Sequence, residues 1–163
     1  MKRIYIARHA SAAAASAAVS DFDRPLLPRG QQEAGQIGAR LAQNGSFIDY
    51  IICSPALRAR ETAEILARNF AFPKEKIVFE KTLFDSPAVE PVLQLLKGLD
   101  DDFRSVLVCG HNPVLQQLAA TLSGDFKVSM PAGTVVGISF ELDKWRQLKE
   151  KAGKICFFAS PEK

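Results

Sequence analysis

The stretch "KRIYIARHAS", residues 2–11, decides how the chain is read. An apolar run, Ile4 to Ile6, ends in Arg8-His9, and residues 10–18 then hold only alanine and serine. A strand that places a guanidinium beside an imidazole asks for a partner. The chain has two histidines, and the second, His111, closes a similar apolar run in "SVLVCGHNP".

Outward from these two places, short β-rich runs alternate with segments of helical period. "RIYIA", "DYIICS", "KIVFE" and "SVLVCG" read as strands. Residues 28–43 set Ala34, Ile37 and Leu41 on one face, with Pro28 near the start and Gly45 just past the end. A second helix is expected with Ser54 as its cap and Pro55 in its first turn, turning Ala59, Ala63, Leu66 and Phe70 inward. Val89, Val92, Leu93 and Leu96 suggest another after Pro87. The last is expected to be capped by Asn112, with Pro113 in its first turn and Val114, Leu118 and Leu122 inward. "TVVGISFEL" and "KICFFA" read as two final strands around a polar connection that contains Trp145. Strands alternating with helices predict an α/β fold, a parallel sheet covered on both faces.

The 163 residues suit one domain, 1–163, with 47% apolar and 24% charged residues. A net charge of +3 without a basic stripe argues against nucleic acid as a partner. Three cysteines, Cys53, Cys109 and Cys156, are odd in number and lie mostly in apolar runs, as reduced thiols of a cytoplasmic protein do. Neither a signal-like segment nor an apolar run near ~18 residues is present, so no membrane association is expected.

In open α/β sheets, ligands collect at the carboxyl ends of the strands. Arg8 and His9 follow the first strand, Ser54 the second and His111 the fourth. Arg58 lies four residues after Ser54, one turn into its helix, and Thr62 one turn further. Two guanidinium groups, two imidazoles and two helix starts on one face suit a phosphoryl group, whose oxygens match the arginine fork. Taken singly, each residue has a plainer reading. A histidine after a strand is often a hydrogen-bonded structural residue, and Arg58 could pair with Glu61 at the surface. The shared face is what favours a site.

Other ways of handling a phosphoryl group fit poorly. Six residues after Cys53 stands Ala59, and six after Cys109 stands Leu115, so no Cys-x5-Arg loop exists. "GQQEAG" lacks the lysine and hydroxyl residue of a P-loop. Two histidines about a hundred residues apart, without HExxH, make a catalytic metal improbable.

The motifs resemble those of the histidine phosphatase superfamily, also called phosphoglycerate-mutase-like. "ARHA" is similar to its Arg-His-Gly signature, "SPALRARET" to its Ser-Pro-x-x-Arg-Ala-x-x-Thr element, and "VLVCGHNP" to the segment of its second histidine. The short length and "DFDRPLLPRG" are nearest to the SixA-type phosphohistidine phosphatases. Two departures stand out: Ala10 replaces the usual glycine, and Leu27 a common threonine that would cap the following helix. The resemblance implies a three-layer α/β/α sandwich with a mostly parallel central sheet, in a minimal form without lid insertions and without a cofactor.

It further implies that His9 is the nucleophile and that Arg8, Arg58 and His111 hold the phosphoryl oxygens, with Asn112 among the substrate-binding residues. Asp85 is the first choice for a general acid, ahead of Glu80, Asp21 and Asp23. The implied substrate is phosphohistidine on a signalling or phosphocarrier protein. A broad small-molecule phosphomonoesterase and a catalytically weak phosphate-binding module are the alternatives. Too few residues separate Thr62 from His111 for a lid, so the site is expected to be shallow and open.

Overall fold

The computed structural model describes residues 1–127 and 129–161. The expected strands form as β1 (Lys2–Arg8), β2 (Tyr50–Cys53), β3 (Val78–Phe79), β4 (Ser105–Gly110), β5 (Val135–Phe140) and β6 (Lys154–Ala159). The helices are α1 (Pro28–Gln43), α2 (Leu57–Arg68), α3 (Thr82–Asp85), α4 (Val89–Lys97) and α5 (Val114–Ser123). One sheet of six strands runs in the order β3-β2-β4-β1-β5-β6. β3, β2, β4 and β1 are parallel, while β5 and β6 close one side antiparallel.

Strand side chains alternate between two cores, which makes the protein three-layered. Ile4, Ile6, Val106 and Val108 meet Val92, Leu96, Leu118 and Leu122 on one face. Tyr5, Ala7, Ile51 and Leu107 meet Ile37, Leu41, Ala63 and Leu66 on the other. Among the described residues no lid domain is inserted between the strands, and no helix is long and apolar enough to cross a membrane.

Local details depart from the sequence reading for physical reasons. α2 begins at Leu57 with Ala56 as its N-cap, so Ser54 does not cap it; the helix ends before Phe70, which packs half-buried beside it. α5 begins at Val114 with Pro113 as its N-cap, although Asn112 Oδ1 still accepts the Gln116 N–H at 3.2 Å. The short α3, wedged between β3 and α4, is too brief to show a helical period. Cys156 turns outward on the edge strand, whereas Cys53 and Cys109 are buried.

Trp145 does lie in the polar connection between β5 and β6, but its side chain turns wholly into the core. Its indole N–H donates to the Phe103 carbonyl at 2.9 Å, and the Lys2 ammonium sits 5.2 Å from its ring centre. Burial of so large a side chain with its one donor satisfied is strongly stabilising. Trp145→Ala is expected to cost about 3–5 kcal/mol, measured as a fall in the urea midpoint by circular dichroism.

Candidate active site

The register of the parallel strands assembles the site. Arg8 pairs with Gly110 across β1 and β4, and the His9 N–H continues the ladder to the Gly110 carbonyl at 3.0 Å. On the other side of β4, Cys53 is level with Cys109, and the Ser54 N–H donates to the Cys109 carbonyl at 2.9 Å. Three neighbouring strand ends therefore release His9, His111 and Ser54 together. The two imidazole rings lie 5.3 Å apart, centre to centre.

Each ring is held by a different device. His9 places Nδ1 2.8 Å from the Ala10 carbonyl, which can only accept, so Nδ1 carries the proton and Nε2 keeps a free lone pair. The Ala10 N–H is in turn bound by Thr62 Oγ1 at 3.1 Å, and that hydroxyl donates to the Arg58 carbonyl at 2.7 Å. The methyl of Ala10 causes no strain, being packed with Leu26 and Ala34. On the far side, Ser11 donates twice to Glu33, and a Cβ at Gly30 would meet the Ser11 carbonyl oxygen at 2.1 Å. Only glycine lets the first turn of α1 press so closely on the segment after His9. That helix starts at Pro28 with Leu27 as an N-cap that supplies no side-chain bond. His111 rests Nε2 against Ser54 Oγ at 2.7 Å.

The arginines are aimed largely by main-chain carbonyls. Arg8 Nη1 donates to Met130 O at 2.9 Å, and Arg58 Nη1 to Asp21 O at 2.6 Å. Arg58 Nη2 also reaches the Asp21 carboxylate at 3.3 Å. Among the described residues three buried polar side-chain atoms lack a hydrogen-bond partner: Arg8 Nε, Arg58 Nε and His111 Nδ1. Buried polar atoms are normally satisfied, so three in one cluster of cations and imidazoles suit a cradle for an oxyanion.

Burial governs the charge state of the rings. His9 is pushed down to about 4 by burial, with the Arg58 and Arg8 charges adding and the Ala10 carbonyl opposing. His111 is pushed to about 3 by burial, then by the Arg58 charge. Both rings are therefore neutral near pH 7, which leaves the His9 lone pair available.

The other expected residues are placed as follows. Asn112 Nδ2 donates to Met130 O at 3.0 Å, so its amide steadies the carbonyl that holds Arg8. Asp85 is exposed and pairs with Lys81 at 3.8 Å. What α3 sends toward the site is Phe84, whose ring lies edge-on to His111 at 5.7 Å, while the half-exposed Phe22 stands edge-on to Phe84 at 5.2 Å. Neither aromatic ring had a signal in the sequence, because α3 and the loop of Phe22 have no period. Asp21 is the carboxylate that meets Arg58, instead of Glu61, which accepts the Leu26 N–H. The Arg24 hydrogen bond holds Asp21 below the usual carboxylate range, with the Arg58 charge adding, so it stays ionised. Asp23 binds Ser20 on the exposed face of the same turn, and Glu80 follows β3, where its charge adds to burial in pushing the Tyr50 hydroxyl up.

A pH dependence of stability follows. An unfolded histidine takes up its proton near pH 6.5, whereas folded His9 resists until about pH 4. Between these values the unfolded chain binds more protons, so stability rises with pH, being complete above pH 6.5 and lost toward pH 4. The loss from His9, which is 8% exposed, is on the order of 3 kcal/mol. Urea midpoints at pH 7 and pH 4 are expected to differ by less in His9→Asn than in the wild type.

Comparison with known proteins agrees with this geometry. The profile of the histidine phosphatase superfamily, branch 1, matches residues 4–83. An uncharacterized protein of Picosynechococcus is 44% identical over 122 residues, covering 74% of this chain and 72% of its own. A protein of Agrobacterium tumefaciens assigned as phosphohistidine phosphatase SixA superposes with TM-score 0.83 at 25% identity, over 98% of each chain. The protein histidine phosphatase SixA complexed with tungstate superposes with TM-score 0.82 at 25% identity, over 98% of this chain and 97% of that one. With the two histidines and two arginines gathered at the strand ends, the chain belongs to the histidine phosphatase superfamily, in its SixA-type branch of phosphatases.

Proposed function

We propose that this phosphatase works through a phosphohistidine on His9 and removes phosphate from phosphohistidine carried by a signalling or phosphocarrier protein of the cytoplasm. The observation that carries the reading is the set of three unpartnered buried nitrogens, on Arg8, Arg58 and His111, beside a neutral His9 with Nε2 free. The tungstate bound by a SixA structure of the same fold is a tetrahedral oxyanion, which supports a phosphoryl occupant here.

In the proposed reaction, the Nε2 lone pair attacks phosphorus in line and the bond to the leaving group breaks. The guanidinium groups and His111 hold the non-bridging oxygens, where charge stabilisation dominates the barrier. Water then hydrolyses the His9 phosphoramidate. A phosphohistidine substrate protonated on its distal ring nitrogen leaves as neutral imidazole and needs no acid. An ester leaves as alkoxide and needs one. The side chain that α3 sets beside His111 is Phe84, and Asp85 would have to give up Lys81 to supply a proton. Phe22, 38% exposed, and Phe84 form an aromatic edge suited to a flat leaving group.

Rapid-mix labelling with a phosphorylated substrate tests the chemistry. The wild type is expected to show an acid-labile, alkali-stable phosphoryl group that decays, and His9→Ala none, with turnover down by about 10³-fold or more. Arg58→Ala is expected to lose about 10²-fold in rate and to weaken phosphate inhibition. Full turnover by His9→Ala would rule the mechanism out.

Competition between a phosphohistidine-bearing carrier domain and p-nitrophenyl phosphate tests the substrate. The carrier should win in kcat/KM, and Phe22→Ala should lower its value about 10-fold while changing the ester's little. A wild-type preference for the ester would instead point to a small-molecule phosphomonoesterase.

A further inference from the structure

We propose that Ser54 fixes the tautomer of His111, so that this ring turns a protonated Nδ1, not a bare lone pair, toward a phosphoryl oxygen. The phosphoryl occupant rests on the function proposed above; the tautomer rests on the hydrogen bonds alone.

Ser54 is completely buried, and its hydroxyl has two polar neighbours. The Ala56 N–H, 3.2 Å away, can only donate, and so occupies a lone pair of Oγ. Among the described residues the hydroxyl proton is left with one acceptor in reach, His111 Nε2 at 2.7 Å. Were Nε2 protonated, Oγ would accept twice and its own proton would be buried without a partner, which folded proteins avoid. Nε2 therefore accepts. A neutral imidazole that accepts at one nitrogen carries its proton on the other, here Nδ1.

That nitrogen is the one left without a partner, in the company of Arg8 Nε and Arg58 Nε. A bare lone pair there would repel an oxyanion, whereas an N–H completes a set of three donors. His9 is the counterpart: it is also protonated on Nδ1, but spends that proton on the Ala10 carbonyl and shows its bare nitrogen. Two rings 5.3 Å apart thus share a tautomer and present opposite ends, one as nucleophile and the other as donor. Burial of His111 keeps it neutral, so the arrangement holds across the physiological range. Ser54 is a positioning residue in this scheme, since it acts only through His111. The Ser54 N–H bonded to the Cys109 carbonyl keeps it level with the end of β4.

Long-range proton–nitrogen correlation on protein labelled with 15N-histidine tests this directly. Only two histidines need assignment, and His9→Ala identifies each. At pH 7 the wild-type His111 is expected to show a protonated Nδ1 and a bare Nε2. Ser54→Ala should populate the other tautomer and lower kcat by about 10- to 100-fold with little change in KM, while Ser54→Thr, which keeps the hydroxyl, should restore both. A protonated Nε2 in the wild type overturns the proposal, as does Ser54→Ala with an unchanged tautomer and undiminished kcat. Because the wild-type spectrum needs no substrate, absent turnover with the expected tautomer would count against the proposed function and leave the Ser54 assignment standing.

Discussion

Everything in this protein depends on the pairing of β1 with β4. Arg8 level with Gly110 is a statement about register, and register in a parallel sheet is enforced by the cores on both faces. A slip of one residue would exchange Ile4 and Ile6 with Tyr5 and Ala7 between the two cores. The same packing that stabilises the fold therefore fixes the separation of two imidazoles a hundred residues apart in sequence. The spacing of the two strand ends is thus inherited from the hydrophobic alternation of two central strands, while each ring is oriented by its own hydrogen bond.

That inheritance also explains the electrostatics. The strand ends lie deep enough to desolvate both rings, with Arg8 closing β1 itself and Arg58 arriving from α2. Cations near imidazoles and burial act in the same direction, each disfavouring protonation. An occupant bearing negative charge reverses the balance, since it neutralises the guanidinium groups and supplies acceptors for unpartnered N–H groups. Desolvated rings beside buried guanidinium groups are costly for the fold and favourable for an anionic ligand, as is usual where function and stability compete.

Much of this was legible in the sequence. Long periodic segments such as Pro28–Gln43 were read to the residue, and Arg8, His9, Arg58 and His111 were expected on one face because they sit at strand ends and one turn into a helix. What escaped was set by distance along the chain or by shortness. Ser54 looked like a helix cap, since nothing local reveals that its hydroxyl reaches His111, 57 positions on. Trp145 stands in a polar setting of sequence, and its burial depends on Phe103 and Lys2, which are remote. Phe84 lies in a single turn of helix and gives no pattern, yet it takes the place beside His111 where a carboxylate was sought.

The anchors of the two guanidinium groups are backbone oxygens, those of Met130 and Asp21. Every amino acid carries such an oxygen, so the loops that provide them are free to drift in composition while their path is kept. Relatives that have diverged widely at these two positions can still aim their arginines identically. Residue-by-residue alignment will then underestimate how much of the arginine arrangement they share, and superposed backbones will be the better guide to kinship.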